Sequence, residues 1–414
     1  MCYSRAFPEY HRTRRLLFML NGPFPPWPSF TEEEADAVRR VLLSNRVNYW
    51  TGDEARQFER EFAAFAGTEH AVAVANGTVA LELALRALGL GPGDEVVVPP
   101  RTFVASASAV INVGATPVFA DIDRDSQNLT AATVEAVLTP RTRAVVAVHL
   151  AGWPCDMDAL MDLARRHDLR VVEDCAQAHG ATWNGRPVGG LGDVGCWSFC
   201  QDKIMSTGGE GGMITVNDRN LWSRIWSAKD HGKSWAEVYE RDHPPGFRWL
   251  HEGLGTNARL TEMQAVIGRL QLARMADWTR TRRAHCDTLW GAARSMPGLR
   301  VPAPPAAVGH AGYKAYVFVE PAALAPGWDR DRIMNEVVAR EVPCFSGSCS
   351  EVYLEKCFQD RGLAPPAPLP VARELGETSL MFLVHPTLDE GHLARTVTAL
   401  AEVMTRATGA SDPR

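Results

Sequence analysis

The sequence has no long apolar run, no dense block of basic residues and no regular cysteine framework, and each absence removes a class of protein. No stretch approaches the roughly 20 consecutive apolar residues that cross a bilayer, so no membrane-spanning helix is expected. Lys and Arg number 43 against 49 Asp and Glu, for a net charge of −6, and no basic run occurs, so the electrostatic footprint of a nucleic-acid binder is missing. The cysteines (Cys2, Cys155, Cys175, Cys196, Cys200, Cys286, Cys344, Cys349 and Cys357) are scattered and form no C-x-x-C pair. Cys196 and Cys200 fall in an expected strand without a second ligand pair, so no metal is expected; the set reads as reduced thiols of a cytoplasmic protein, used as small buried hydrophobes. Arg5, Arg12, Arg14 and Arg15 followed by Leu16-Leu17-Phe18-Met19-Leu20 imitate a signal peptide, but that apolar core is shorter than the roughly 7–15 residues a signal needs. Asn-Gly-Pro-Phe-Pro-Pro follows where a small-residue cleavage site would stand. Residues 1–26 are therefore expected to be a loose N-terminal extension.

What is present is a globular composition: 414 residues, 46% hydrophobic and 22% charged, enough for one large domain and a smaller one. From about residue 70, short apolar runs alternate with helical patterns: Ala71–Ala75 then Thr78–Leu90, Glu95–Val98 then Phe103–Asn112, Thr116–Ala120 then Ala131–Leu138. Arg143–His149, Asp156–His167 and Leu169–Glu173 continue the series. This alternation predicts an α/β fold with a mainly parallel sheet, whose site collects at the carboxyl ends of its strands. Strands around Gly195–Cys200 and Gly212–Val216 flank a glycine-rich turn, and a long helix is expected over Leu260–Met275. The Pro-, Ala- and Gly-rich stretch Leu299–Gly312 marks a boundary between a large domain, 27–298, and a smaller α+β domain, 299–414.

Three segments carry chemistry. At Val171-Val172-Glu173-Asp174-Cys175-Ala176-Gln177-Ala178-His179-Gly180 a carboxylate stands where an apolar strand emerges; alone, Asp174 reads equally as a helix cap or a surface group. Ser198-Phe199-Cys200-Gln201-Asp202-Lys203 follows, with Thr207-Gly208-Gly209-Glu210-Gly211-Gly212 behind it, a turn able to pass close to a bound group. A lone lysine is normally a solvated charge. Earlier, Val74-Ala75-Asn76-Gly77-Thr78 is a strand, a glycine and a helix start, which offers free N–H groups to an anion. An amine, a carboxylate and an anion seat are what pyridoxal 5'-phosphate chemistry requires: one holds the aldehyde, one keeps the pyridine nitrogen protonated, and one fixes the phosphate. Lys203 and Asp174 supply the first two.

In order and spacing these segments, with Val98-Pro-Pro-Arg-Thr-Phe103 and Gly255-Thr-Asn-Ala-Arg-Leu-Thr-Glu-Met-Gln264, resemble the DegT/DnrJ/EryC1/StrS family of pyridoxal phosphate-dependent sugar aminotransferases from Trp27 to Met404. The resemblance implies the aspartate-aminotransferase-like fold, type I of the pyridoxal phosphate-dependent transferases. It implies that Lys203 carries the cofactor as a Schiff base, Asp174 pairs with the pyridine nitrogen, Gln177 binds the ring 3-oxygen and Phe103 stacks on the ring. Gly77, Thr78 and Ser198 would hold the phosphate. Asn257 would reach it from the other subunit of a homodimer with shared active sites. The implied substrates are an amino-acid donor, glutamate or glutamine, and a keto-sugar acceptor, nucleotide-linked, in amino-sugar biosynthesis for polysaccharides or antibiotics; a cyclitol ketone is the alternative.

Some readings stay open at this stage. The family's sugar dehydratases carry a histidine where this chain has Lys203, and a non-catalytic regulator would need a DNA-binding module that the short N-terminal extension does not contain. His179 and His231 either line the pocket or are hydrogen-bonded structural residues. Tyr49 and Trp50 either border the substrate or form a packing hinge. This chain has Thr256 where the family often has an aromatic residue. Ser346, Ser348 and Ser350 with Glu351 either bind sugar hydroxyls or cap the next helix.

Overall fold

The computed structural model describes residues 23–242 and 249–409. Strands form where Val and Ala cluster, at β1 (His70–Val74), β2 (Glu95–Val98), β3 (Thr116–Phe119), β4 (Thr142–Val148) and β5 (Arg170–Asp174). Runs such as Glu-Val-Val-Val in β2 suit strands covered on both faces. A short hairpin, β6 (Thr182–Trp183) and β7 (Arg186–Pro187), precedes β8 (Val194–Ser198) and β9 (Gly212–Val216). The main sheet has the order β1-β9-β8-β5-β4-β2-β3. Neighbours from β8 through β3 are parallel, and β9 runs against both β1 and β8. The expected parallel sheet is therefore present, with its strand ends gathered on one edge.

A second sheet follows. After β10 (Leu299–Arg300), β11 (Val308–Gly309) joins the β6–β7 hairpin, while β12 (Ala315–Val319), β13 (Cys344–Phe345) and β14 (Ser379–Phe382) complete the antiparallel order β10-β12-β14-β13. Its core of Trp290, Val317, Ile333, Leu380 and Leu400 is separate from the core around the main sheet. Helix Met275–Ala293 contributes Met275 to the first core and Leu289 and Trp290 to the second, so a single rigid element joins the two. Arg101, just past β2 and fully buried, makes a second link: its Nε donates to Gln127 Oε1 at 2.8 Å and its Nη2 to Ser379 Oγ, at the start of β14, at 2.9 Å. Helices Glu32–Leu43, Glu54–Ala66 and Arg219–Lys229 lie outside the strand–helix alternation read from the sequence.

Residues 1–22 of the expected loose extension lie outside the described residues, and its last residues are not loose. Phe24 is 5% exposed in the second core, against the His392 ring, and Pro26 O accepts from Thr387 Oγ1. Burying an aromatic ring there outweighs the freedom of so short a segment.

The end of β5 is fixed from behind. Glu173 is fully buried and accepts from the backbone N–H of Gly189 (2.8 Å), Leu191 (2.7 Å) and Gly192 (2.7 Å) and from His149 Nε2 (3.0 Å). His149 Nδ1 accepts from Cys155 N, so Nε2 carries the ring proton. His149, Glu173 and Cys175 have the proximity of metal ligands, but both imidazole nitrogens are engaged in this network. Burial opposes the Glu173 charge, and His149 with the N–H donors outweighs it, holding the carboxyl below its ordinary range. A depressed native pKa stabilises the fold above the unfolded pKa and loses that contribution as pH falls through the native one. Glu173→Ala should lower unfolding stability by roughly 3–5 kcal/mol, read as a shifted urea midpoint at neutral pH, with a smaller difference from wild type in acid. An unchanged midpoint would contradict the role.

Candidate active site

A cavity of about 540 Å³ lies where β5 and β8 end and helix Gly77–Ala87 begins. Its lining includes Gly77, Thr78, Phe103, Asp174, Gln177, Ser198 and Lys203. Asn257, the remaining residue expected at the site, is exposed, pairs by backbone with Asp230 and lines neither this cavity nor its neighbour. That neighbour, about 770 Å³, shares Thr102, Phe103, Gln177, Asp202 and Lys203 and extends to Tyr313, Lys314, Phe345, Ser348, Met381 and His385 of the second sheet and its loops.

Asp174 closes β5 and is 7% exposed. Its Oδ2 accepts from Ser106 Oγ at 2.7 Å and its Oδ1 from Ala176 N at 3.1 Å, so the carboxylate is aimed rather than free. Ser106 Oγ pairs in turn with Thr102 Oγ1 at 2.8 Å. Sequence reasoning missed Ser106; the signal available was its position one turn after Thr102, at the start of a helix facing the strand ends. Gln177 accepts from Ala151 N at 2.8 Å through Oε1, which leaves its Nε2 donors without a partner among the described residues. Phe103 stands at the rim shared by both cavities, 66% exposed.

The anion seat has the expected parts. Asn76 caps the helix by accepting from Val79 N at 2.9 Å, and the N–H groups of Gly77 and Thr78 have no acceptor among the described residues. Ser198 ends β8 directly opposite: a Cβ built on Gly77 would stand 2.7 Å from Ser198 Cβ. Only glycine permits this approach, and a side chain there would close the seat.

Lys203 lies just beyond β8. Its carbonyl accepts from Trp27 Nε1 at 2.8 Å, while its Nζ makes no hydrogen bond to a described residue and has Asp202 Oδ1 at 3.9 Å and the Tyr313 ring at 5.5 Å. The turn behind it uses Gly208 and Gly209 at φ +87° and +121°, values that L side chains rarely adopt. Asp202 Oδ2 accepts from Tyr313 OH at 2.6 Å. Burial would raise the Asp202 carboxyl, but Lys203 and the Tyr313 hydroxyl lower it further, so it stays charged. Burial and that carboxylate push the Tyr313 phenol well up, so it remains a donor. A free amine, a braced carboxylate and an anion seat in one cavity fit pyridoxal phosphate in size and in donor chemistry.

Other readings resolve as packing. His179 is fully buried among Phe62, Trp197 and Phe199, with neither ring nitrogen hydrogen-bonded to a described residue, and burial drives its pKa down to about 3. His231 lines neither cavity. Tyr49 is buried, donates to Glu59 and accepts from Trp226 Nε1. Of the serines near 350, Ser348 lines the larger cavity, its N–H donating to Tyr316 OH at 3.0 Å, whereas Ser350 is tied to Ala372 O. No side chain caps the short helix Val352–Leu354.

A model of the DegT/DnrJ/EryC1/StrS aminotransferase family matches residues 28–401. The UDP-N-acetyl-3-dehydro-alpha-D-glucosamine 3-aminotransferase of Acidithiobacillus ferrooxidans is 39% identical over 90% of this chain and 94% of its own. The dTDP-3-amino-3,4,6-trideoxy-alpha-D-glucose transaminase of Streptomyces venezuelae is 37% identical over 88% and 90%. Among solved structures, an aminotransferase from Psychrobacter cryohalolentis superposes with a TM-score of 0.91 at 59% identity, over 93% of this chain and 100% of that one. DesV of S. venezuelae, in complex with a ketimine intermediate, gives 0.81 at 36% identity, over 91% and 95%. The chain belongs to the DegT/DnrJ/EryC1/StrS aminotransferase family and is a pyridoxal phosphate-dependent transaminase.

Proposed function

We propose that this chain moves an amino group from L-glutamate or glutamine to a nucleotide-linked keto sugar, in the cytoplasm, as a homodimer that shares its active sites. The observation that carries the reading is the convergence of Lys203, Asp174 and the Gly77–Ser198 seat in one cavity that opens into a second, larger one. The relatives from A. ferrooxidans and S. venezuelae are named for nucleotide-linked sugars, which supports the acceptor class. Trp249 and Leu254 are 82% and 102% exposed in the segment leading to Asn257, and uncovered apolar side chains there support a partner subunit. The scattered cysteines, eight of them unpaired among the described residues, support a reducing compartment.

When bound, pyridoxal phosphate supplies an aldehyde for the amine and an electron-poor ring that accepts the charge left by a departing α-proton. Gly77 and Thr78 N–H with Ser198 Oγ would bind its phosphate, joined by Asn257 of the partner copy. Asp174 would hold the proton at the ring nitrogen, with Ser106 orienting that carboxylate. Gln177 would donate its free amide to the ring 3-oxygen, and Phe103 would cover the ring and exclude water. Lys203 Nζ would anchor the cofactor at rest and, as a free amine beside the donor, would take the proton from the donor's Cα, with the corresponding proton delivered to the acceptor carbon in the second half-reaction. A lysine can act this way only as the neutral amine.

Lys203→Ala should abolish both amino transfer and the visible absorbance of the lysine-bound cofactor, and retained turnover would overturn the mechanism. Gly77→Ala should weaken pyridoxal phosphate binding by about tenfold or more, since the new methyl meets Ser198. Asn257→Ala should weaken cofactor retention, measured by dialysis, without altering the thermal midpoint of the cofactor-free protein. Unchanged affinity in either variant would remove that residue from the phosphate seat.

A further inference from the structure

We propose that Lys314 is the residue that binds a carboxylate of the amino donor; the proposal rests on the aminotransferase reading above. Lys314 immediately precedes β12 and lines the larger cavity together with Lys203, Asp202, Tyr313 and His385. Its ammonium makes no hydrogen bond to any described residue and lies 4.9 Å from the centroid of the Tyr313 ring. Lys203 Nζ lies 5.5 Å from the centroid of that same ring. The amine that handles the α-proton and a second, unengaged ammonium therefore stand against the same aromatic ring.

The charges around Lys314 do not balance. Arg282, whose charge also acts on Lys314, is 1% exposed and lies over the Trp27 ring; among the described residues its Nε and Nη2 have no hydrogen-bond partner, and its Nη1 reaches the carbonyls of Gly312 and Tyr313 at 3.4 and 3.5 Å. The carboxylate that acts on both lysines is Asp202, already 3.9 Å from Lys203 and hydrogen-bonded to Tyr313. The other acid of the cavity lining, Glu355, is an exposed residue. Lys203 and Lys314 thus share Asp202, which leaves their end of the larger cavity short of negative charge. His385 cannot serve as the cation, because burial first and then Arg282 and Lys314 push it down to about 3. Burial also pulls Lys314 down to about 8 despite Asp202, so at neutral pH it remains mostly protonated while poorly solvated, the condition in which an ammonium holds an anion firmly.

The donor fits this place better than the acceptor. In an α-amino acid the carboxylate is one bond from the carbon that must sit beside Lys203, so its anion belongs at the end of the larger cavity where Lys203 and Lys314 stand. The phosphates of a nucleotide-linked sugar are separated from the keto carbon by part of the sugar ring and belong further out. Met381 and Leu383 on the same wall offer no charge to compete with Lys314.

The test is the donor half-reaction alone: holoenzyme is titrated with L-glutamate without acceptor, and loss of the visible absorbance of the lysine-bound cofactor is followed. In Lys314→Met the glutamate concentration for half-maximal rate should rise by about tenfold or more with a much smaller change in limiting rate, partly restored in Lys314→Arg. Lys314→Gln, which keeps a polar group, should behave like Lys314→Met and serves if the methionine variant folds poorly. Isoglutamine and glutamine, amidated at the α- and γ-carboxyl, identify the group: whichever amide the wild type discriminates against and the variant does not marks the carboxylate held. An unchanged glutamate dependence in variants that carry the cofactor normally would overturn the assignment of Lys314 alone. A wild-type holoenzyme whose cofactor responds to neither glutamate nor glutamine would overturn the donor assignment and the aminotransferase reading together.

Discussion

Two adjacent carboxylates at the end of β5 set the geometry of everything around them. Because successive side chains of a strand point to opposite faces, Glu173 faces the interior and Asp174 the cavity. Glu173 gathers the backbone of Gly189, Leu191 and Gly192, the segment that leads into β8. β8 then runs parallel to β5 with Asp174 opposite Cys196, and its last residue, Ser198, meets Gly77 across the sheet edge. The buried acid thus fixes the strand end from which the exposed-side acid acts. It also fixes the approach of the chain to Lys203. A carboxylate so deeply buried is tolerable only because four donors surround it.

The second sheet completes the chamber rather than the cofactor seat. Tyr313 and Lys314 come from the segment entering β12, while Phe345 and Ser348 come from β13 and the loop after it. Arg101 ties the end of β2 to Ser379, whose hydroxyl donates to Ser346 O at 2.7 Å, so the cavity wall on that side is braced against the main sheet. Trp27 braces the other side by holding the Lys203 carbonyl. The lining of the proposed cofactor seat therefore comes from the first sheet and its loops, and much of the lining of the larger cavity comes from the second.

The α/β architecture and the inner site were readable from the sequence because both are local. Val-rich runs alternating with helical periods define the parallel sheet, and Asp174, Ser198 and Gly77 sit at element ends that the same pattern marks. Lys203 was found because a glycine-rich turn follows it. Ser106 and Trp27 were not assigned site roles because their partners lie far away in the chain, Asp174 and Lys203 respectively, and no spacing rule predicts a contact made by folding. Lys314 was assigned no site role either, because its nearness to Lys203, against the same Tyr313 ring, is made by folding. Phe24 illustrates the opposite error: a poor imitation of a signal peptide left residues 1–26 read as a loose extension, yet this ring is buried in the second core. Asn257 lies apart from the cavity, and its expected role depends on a second copy of the chain.

The central claim is that Lys203 is the anchor of pyridoxal phosphate and the base of the reaction. The most direct measurement is the absorbance spectrum of the purified holoenzyme before and after borohydride, followed by peptide mapping of the reduced adduct. The account predicts a band at the visible edge that borohydride removes, with the pyridoxyl group recovered on the peptide containing Lys203. A pyridoxyl group on Lys314 or another lysine, or a colourless protein that takes up no added pyridoxal phosphate, would contradict it.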